Sequence, residues 1–351
     1  MSRVPNSIML AEIRQQPEAL ERTLVWQLRR IGKLRAFLEK RRPRLVVIVA
    51  RGTSDNAAQF GRYLIEIMTG IPVSLAAPSV QSIYGRTVDY KEALVVGISQ
   101  SGESTDISAV LEQARKSGAM TVGITNEPNS TLANLAEHVL LVRAGREKSV
   151  AATKTYTGQL MSLYLLAHAL GGKIGIEDLR AIPEAARAAL ELETEVAALA
   201  EHDREIRQAA VLARGLNYAN AYEFALKMME TSYIVAERFS SADFLHGPIA
   251  IVYRDLPVFL FGPSGRAWAS LRETIEKLRE LKAEIVIITD RGNREAARFA
   301  SAVIRIPLVL SELYSPIPYI VPAQLFAAAL ARAKGLNADQ PRGLRKVTAN
   351  L

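Results

Sequence analysis

Glu223, Lys227 and Glu230 stand at i, i+4 and i+7 in a stretch of helical character, so they share one helix face. Two readings fit that spacing: an exposed, ion-paired surface, or a carboxylate–lysine set able to move protons. The stretch follows the apolar run Ala210-Val211-Leu212-Ala213 and then Arg214-Gly215, which is where α/β proteins build sites, and both readings stand. His246, in Phe244-Leu245-His246-Gly247-Pro248, lies in a loop, whereas His138, His168 and His202 fall in helical or strand-leading contexts. His138, His168 and His202 show no metal-ligand spacing with one another.

A second kind of chemistry is suggested by hydroxyls. Ser99-Gln100-Ser101-Gly102-Glu103-Ser104-Thr105-Asp106 follows an apolar run and opens a helix-like stretch, as does Gly52-Thr53-Ser54-Asp55-Asn56. Helix N-termini carry unsatisfied N–H donors and a partial positive charge, and serine or threonine hydroxyls add donors. One such residue suffices for an ordinary N-cap. Four hydroxyls in the seven positions 99–105 exceed that need and favour a phosphate.

The elements that must carry these residues are duplicated. Leu45-Val46-Val47-Ile48-Val49-Ala50 ends in Arg51-Gly52, and the 210–213 run ends in Arg214-Gly215. The run Ala93–Ile98 leads into Ser99 as Pro257–Gly262 leads through Pro263 into Ser264, and Met120–Thr125 matches Glu284–Thr289. All three pairs repeat in order at a spacing of about 164 residues. Near-continuous Val, Ile and Leu runs suit strands covered on both faces, and helices such as 106–116 close right-handed crossovers. The expected fold is α/β: two tandem doubly wound parallel-sheet domains. The expected boundaries are a helical N-terminal extension over 1–40, domains over 41–176 and 208–335, a helical linker over 177–207, and a C-terminal tail over 336–351 that closes the site. The loop of the second copy, Gly262-Pro263-Ser264-Gly265, is poorer in hydroxyls, so the copies differ in function.

Composition narrows the classes. The 351 residues include no cysteine, which removes disulfides, thiolate metal sites, iron–sulfur ligation and cysteine nucleophiles. No Gly-x-Gly-x-x-Gly fingerprint follows the first strand and no Walker-type lysine loop is present, so hydride transfer and nucleotide hydrolysis recede. Lys and Arg exceed Asp and Glu by 44 to 36, favouring anionic partners, but no basic arm interleaved with aromatics points to nucleic acid. The charge-free stretches 155–172 and 313–331 are interrupted by polar residues or prolines and read as core segments rather than membrane spans. With no apolar signal core at the N-terminus, a cytoplasmic location is expected.

Four segments together resemble the sugar isomerase (SIS) domain proteins: Ser99-Gln100-Ser101-Gly102-Glu103-Ser104, Ala225-Leu226-Lys227-Met228-Met229-Glu230, Leu245-His246-Gly247-Pro248, and Asp339-Gln340-Pro341-Arg342-Gly343-Leu344-Arg345-Lys346. The likeness is to the isomerase half of the glutamine–fructose-6-phosphate aminotransferases and to stand-alone amino-sugar-phosphate deaminases or isomerases. It implies that Ser99, Gln100, Ser101 and Ser104 hold the sugar phosphate, and that Thr53, Ser54 and the backbone near Val150 contact the sugar. It further implies that Glu230 moves a proton between C1 and C2 with help from Lys227. By the same likeness, His246 from a neighbouring subunit opens the ring, and Lys346 engages the open-chain carbonyl or orders the tail. Ala152 and Arg51 depart from the serine and the small residue of the aminotransferases, and both bear on which sugar is bound.

The expected activity is interconversion of glucosamine 6-phosphate with fructose 6-phosphate and ammonia. With no glutaminase segment in this sequence, deamination or synthesis from free ammonia is expected over glutamine-dependent synthesis. The implied partners are a phosphorylated sugar or amino sugar and a second copy of the chain in a homodimer with shared sites, without nucleic acid, membrane, metal or cofactor. Alternatives are another aldose–ketose isomerase or deglycase of the same family, or a non-catalytic sugar-phosphate-binding regulator.

Overall fold

The computed structural model describes residues 7–344 and Lys346. The expected tail therefore lies partly outside the described residues, at 345 and 347–351.

One parallel sheet is built from β1 (Leu45–Val49), β2 (Val73–Leu75), β3 (Ala93–Ser99), β4 (Met120–Thr125) and β5 (His138–Leu141), in the order β2-β1-β3-β4-β5. The other contains β6 (Gln208–Ala213), β7 (Val235–Ser240), β8 (Pro257–Phe261), β9 (Glu284–Asp290) and β10 (Ala302–Ile306), ordered β10-β9-β8-β6-β7. From its opposite edge the second order repeats the first, so the duplication read in the sequence is a duplication of topology. Val47 faces Val95 across the β1–β3 pair, and Val211 faces Phe259 across the matching β6–β8 pair. Every residue of β3, β4 and β8 is buried, as parallel strands covered by helices on both faces must be.

The chain forms two compact units, each assembled from separate stretches of sequence. The β1–β5 unit comprises residues 18–147 and 154–180 together with Lys346. The β6–β10 unit comprises the residues up to 17, then 148–153 and 181–344.

The N-terminal region forms three helices, Ile8–Arg14, Gln16–Leu28 and Ile31–Arg41. Pro17 falls in the first turn of the second helix, where a missing N–H costs nothing. The first helix is capped from far along the chain, since Asp339 accepts the backbone N–H groups of Ile8 and Met9, both at 2.7 Å. Residues 177–207 fall mostly in the helices Ile176–Leu190 and Glu193–His202. In the β6–β10 unit, the guanidinium of Arg14 forks onto Glu193 at 2.5 and 2.9 Å.

The two charge-free stretches form the Lys154–Ala169 and Pro316–Ala333 helices, which are buried on nearly every side. Among the described residues no helix is long and apolar enough to cross a membrane.

Candidate active site

In a doubly wound sheet, ligands gather beyond the carboxyl ends of the strands where strand order reverses. In the β1–β5 unit that point lies between β1 and β3, and the two hydroxyl-rich loops follow these strands. After β1, Gly52 takes φ +57°, turning the chain so that Thr53 opens the Thr53–Thr69 helix. Ser54 is buried, and its hydroxyl accepts a hydrogen bond from Gln159 Nε2 at 2.9 Å.

After β3 the loop is held by its own backbone. Ser99 Oγ accepts the Gly102 N–H at 3.0 Å, Ser101 Oγ accepts the Glu103 N–H at 3.3 Å, and the Gln100 carbonyl accepts the Asn126 N–H at 3.2 Å. Gly102 is obligatory here: its φ is +69°, and a Cβ would collide with Ser130. Ser104 occupies the N-cap position of the Thr105–Lys116 helix, yet its hydroxyl makes no capping bond. Capping therefore does not account for this serine. The Glu103 carboxylate is occupied elsewhere, by Thr131 Oγ1 at 2.7 Å and the Thr131 N–H at 3.0 Å, and these bonds hold its carboxyl below the usual range.

In the β6–β10 unit, β6 runs through a 3₁₀ turn at Gly215–Asn217 into the Tyr218–Ser232 helix. Phe224 seats this helix, meeting Phe259, Phe261 and Phe326 edge-on at centroid distances of 5.2, 6.2 and 5.8 Å. Glu223 and Lys227 are wholly buried, so the exposed ion-paired surface is not what forms. Lys227 Nζ donates to Glu230 Oε2 at 2.5 Å and lies 3.5 Å from Glu223 Oε1.

A buried ammonium is costly unless paired, and here two carboxylates face it. Of the three side chains only Glu230 reaches solvent, at 21% exposure. The result is a carboxylate fixed in direction by a buried lysine and open to solvent. The helix ends at Tyr233 in the left-handed region. Arg342 covers that ring at 4.2 Å and donates its backbone N–H to the Tyr233 hydroxyl at 2.9 Å.

The remaining expected site residues are dispersed. His246 ends the short Ser241–Leu245 helix and is exposed; the following Gly247, at φ +135°, makes the turn. Val150 is half-buried in a loop whose preceding N–H groups, those of Lys148 and Ser149, bond to Glu12 at 2.6 and 3.1 Å. Lys346 Nζ lies 3.2 Å from Glu147 Oε2. Thus Thr53, Ser54, Ser99, Gln100, Ser101, Ser104 and Lys346 belong to the β1–β5 unit, and Val150, Lys227, Glu230 and His246 to the other.

Sequence reasoning missed Glu147, a fully buried carboxylate that also accepts from Thr155 Oγ1 at 2.6 Å. It also missed the ion pair between Arg51 and Asp106, with Nη2 at 2.7 Å and Nε at 3.3 Å from Oδ2. Neither lies at a helical or strand spacing from its partner, so no periodic signal marks them.

Similarities to known proteins fit this arrangement. The chain is 33% identical over 354 residues to the glutamine–fructose-6-phosphate aminotransferase [isomerizing] of Chlorobaculum tepidum, covering 96% of this chain and 57% of that protein. The chain thus spans less than two thirds of the length of that relative. The C-terminal domain of glucosamine-fructose-6-phosphate aminotransferase from Francisella tularensis superimposes with a TM-score of 0.88 at 29% identity, over 97% of this chain and all of that one. Glucosamine-6-phosphate deaminase from Thermotoga maritima shares the fold, with a TM-score of 0.76 at 24% identity over 98% of this chain and 100% of that one. The SIS domain itself matches twice, at residues 40–169 and 204–332, one match around each sheet, and the chain belongs to the SIS domain family.

Proposed function

We propose that this chain is a sugar-phosphate enzyme that interconverts glucosamine 6-phosphate and water with fructose 6-phosphate and ammonia. The observation carrying this reading is the Glu230 carboxylate, held at 2.5 Å by buried Lys227 and still reachable from solvent. In the deamination direction, Glu230 takes the C2 proton of the open-chain amino aldose and returns it to C1 while an amine proton passes to O1, leaving a hydroxymethyl group at C1 and an imine at C2. Water adds to that carbon and ammonia departs, so the step needs no oxidant and no cofactor. Lys227 orients the carboxylate and balances its charge as the proton comes and goes.

The Ser99–Thr105 loop, with Thr53 and Ser54, seats the phosphate and sugar; what supports this is its place at a strand-order reversal, above a helix N-terminus. His246 opens the ring and Lys346 meets the carbonyl, roles that rest on the family likeness. The exposed His246 fits donation to a neighbouring copy in a homodimer.

The test is ammonia release from glucosamine 6-phosphate. Glu230→Gln is expected to lower kcat by about a thousandfold while leaving fructose 6-phosphate affinity nearly unchanged. Wild-type protein inactive on every amino-sugar phosphate would sink the proposal. Mixing Glu230→Gln with His246→Ala chains restores turnover only if sites are shared between copies, so an absence of rescue removes the shared-site arrangement.

A further inference from the structure

The phosphate seat contains an acid in an awkward place. Asp106 lies in the first turn of the Thr105–Lys116 helix, 6% exposed, immediately after the hydroxyls assigned to the phosphate. A carboxylate there complements the helix dipole by itself, but it repels a dianion drawn to the same end. Its partner comes from the other loop at the strand-order reversal: two N–H groups of Arg51 converge on Asp106 Oδ2, at 2.7 and 3.3 Å. Arg51 stands where β1 ends, just before the Gly52 turn, so the ion pair ties the two hydroxyl-rich loops together. Asp55 also feels Arg51: burial pushes its carboxyl up while the guanidinium draws it back, and among the described residues Asp106 alone accepts hydrogen bonds from Arg51. The Arg51 side chain is 44% exposed against 7% for Asp106, so the cation forms the outer member of the pair.

We infer that Arg51 is a positioning residue that sets the phosphate affinity of the Ser99–Thr105 loop by neutralising Asp106. This rests on the reading of that loop as the phosphate seat. A purely mechanical clasp between the loops would also use an ion pair, and the two roles respond differently to the removal of both charges. If Arg51 neutralises, then removing Asp106 as well makes it dispensable. If it clasps, the double variant stays as impaired as the single one.

Isothermal titration with inorganic phosphate and with fructose 6-phosphate decides. Arg51→Ala is expected to weaken both by about tenfold or more, and Arg51→Lys, which keeps the charge, by no more than about threefold. Arg51→Ala with Asp106→Asn is expected to return within about threefold of the wild type. This double variant leaves no lone buried charge, so it keeps the question answerable even where Arg51→Ala fails to fold. An Arg51→Ala protein that binds like the wild type, or a double variant still about tenfold weak, overturns the inference. The seat itself is checked separately by Ser101→Ala/Ser104→Ala. If those changes leave affinity untouched, or the wild type binds neither anion, the loop reading fails and the inference falls with it.

Discussion

The two copies of the domain bring a loop to the same topological place and use it in opposite ways. In the first copy the loop after β3 leaves the Ser104 hydroxyl without a capping bond at the start of a helix. In the second, the loop after β8 is filled by the protein's own carboxylates. Asp290 accepts from Ser264 Oγ at 2.9 Å, from the Gly292 N–H at 2.6 Å and from the Tyr319 hydroxyl at 2.5 Å. Glu312 accepts the Ala267 N–H at 3.2 Å, in the first turn of the Arg266–Glu280 helix, and a Cβ on Gly265 would strike its carboxylate. At the position of Asp290 the first copy has Asn126, an uncharged side chain that spends its amide on Gly145 and Ala144. Duplication supplies two helix N-termini at two order reversals. One keeps an uncommitted serine hydroxyl at its N-cap, and the other is closed by internal carboxylates.

Breaking the internal anion gives the largest effect on stability. Asp290 is wholly buried, and burial together with its charge pushes the Tyr319 hydroxyl well above its ordinary value. Asp290→Ala removes the acceptor of the Ser264 and Gly292 N–H groups and of the Ser264 and Tyr319 hydroxyls, and is expected to destabilise the fold by about 3 kcal/mol in urea unfolding. Asn126→Ala in the first copy, where two bonds to backbone groups and a long one of 3.5 Å to the Glu127 carboxylate are lost, is expected to cost about half as much. Equal losses would mean that the charge at Asp290 does not distinguish the copies.

A carboxylate of the second unit also carries a cost at the opposite end of the sheet, before β6. Asp203 is buried and its Oδ2 has no hydrogen-bond partner. Burial, and then the nearby Glu284, push its carboxyl up to about 6, with His202 pulling the other way. Because the folded state holds this proton more tightly than the unfolded chain, stability from this group is present at acid pH and is lost as pH rises through about 6. Asp203→Asn, which imitates the protonated form, is expected to be more stable than the wild type by on the order of 2 kcal/mol at neutral pH, the gap closing toward pH 4. Melting curves between pH 4 and 7.5 check this, and a gap that does not change with pH refutes it.

What the sequence disclosed follows from which forces leave a periodic trace. The central strands were legible because a parallel strand buried on both faces must be apolar throughout, as Ala93–Ser99 is. The edge strand Val235–Ser240 was not, since it pairs on one side only and carries Glu237 and Arg238. The spacing of Glu223, Lys227 and Glu230 was plain, but their burial was not. A charged helix face reads the same whether water or protein covers it, and here Phe224 on the same helix anchors it to Phe259 and Phe326. The hydroxyl-rich loop stood out by composition. The Arg51–Asp106 pair and the internal anions of the second copy did not, because they join residues many positions apart through side chains alone.

The smallest expected effect is the sharpest probe of the comparison. Glu312 is half-buried, and one of its bonds is a cap supplied from a distance, since Gly265 at the N-cap position offers no side chain. Losing such a cap costs about 1 kcal/mol, so Glu312→Ala should lower the unfolding free energy by that amount and leave the fold intact. It also strips one negative charge from the second helix N-terminus and clears the space beside Gly265. If both anions are needed to close the second loop, Asp290 alone does not keep phosphate out, and titration then finds two sites per chain. The expected result is one site. Ser264, the loop's hydroxyl donor, stays committed to Asp290, and that carboxylate still repels a dianion. A second site in Glu312→Ala would show that the copies differ by a single plug; one site shows that the second loop was rebuilt around Asp290, with Glu312 only capping its helix.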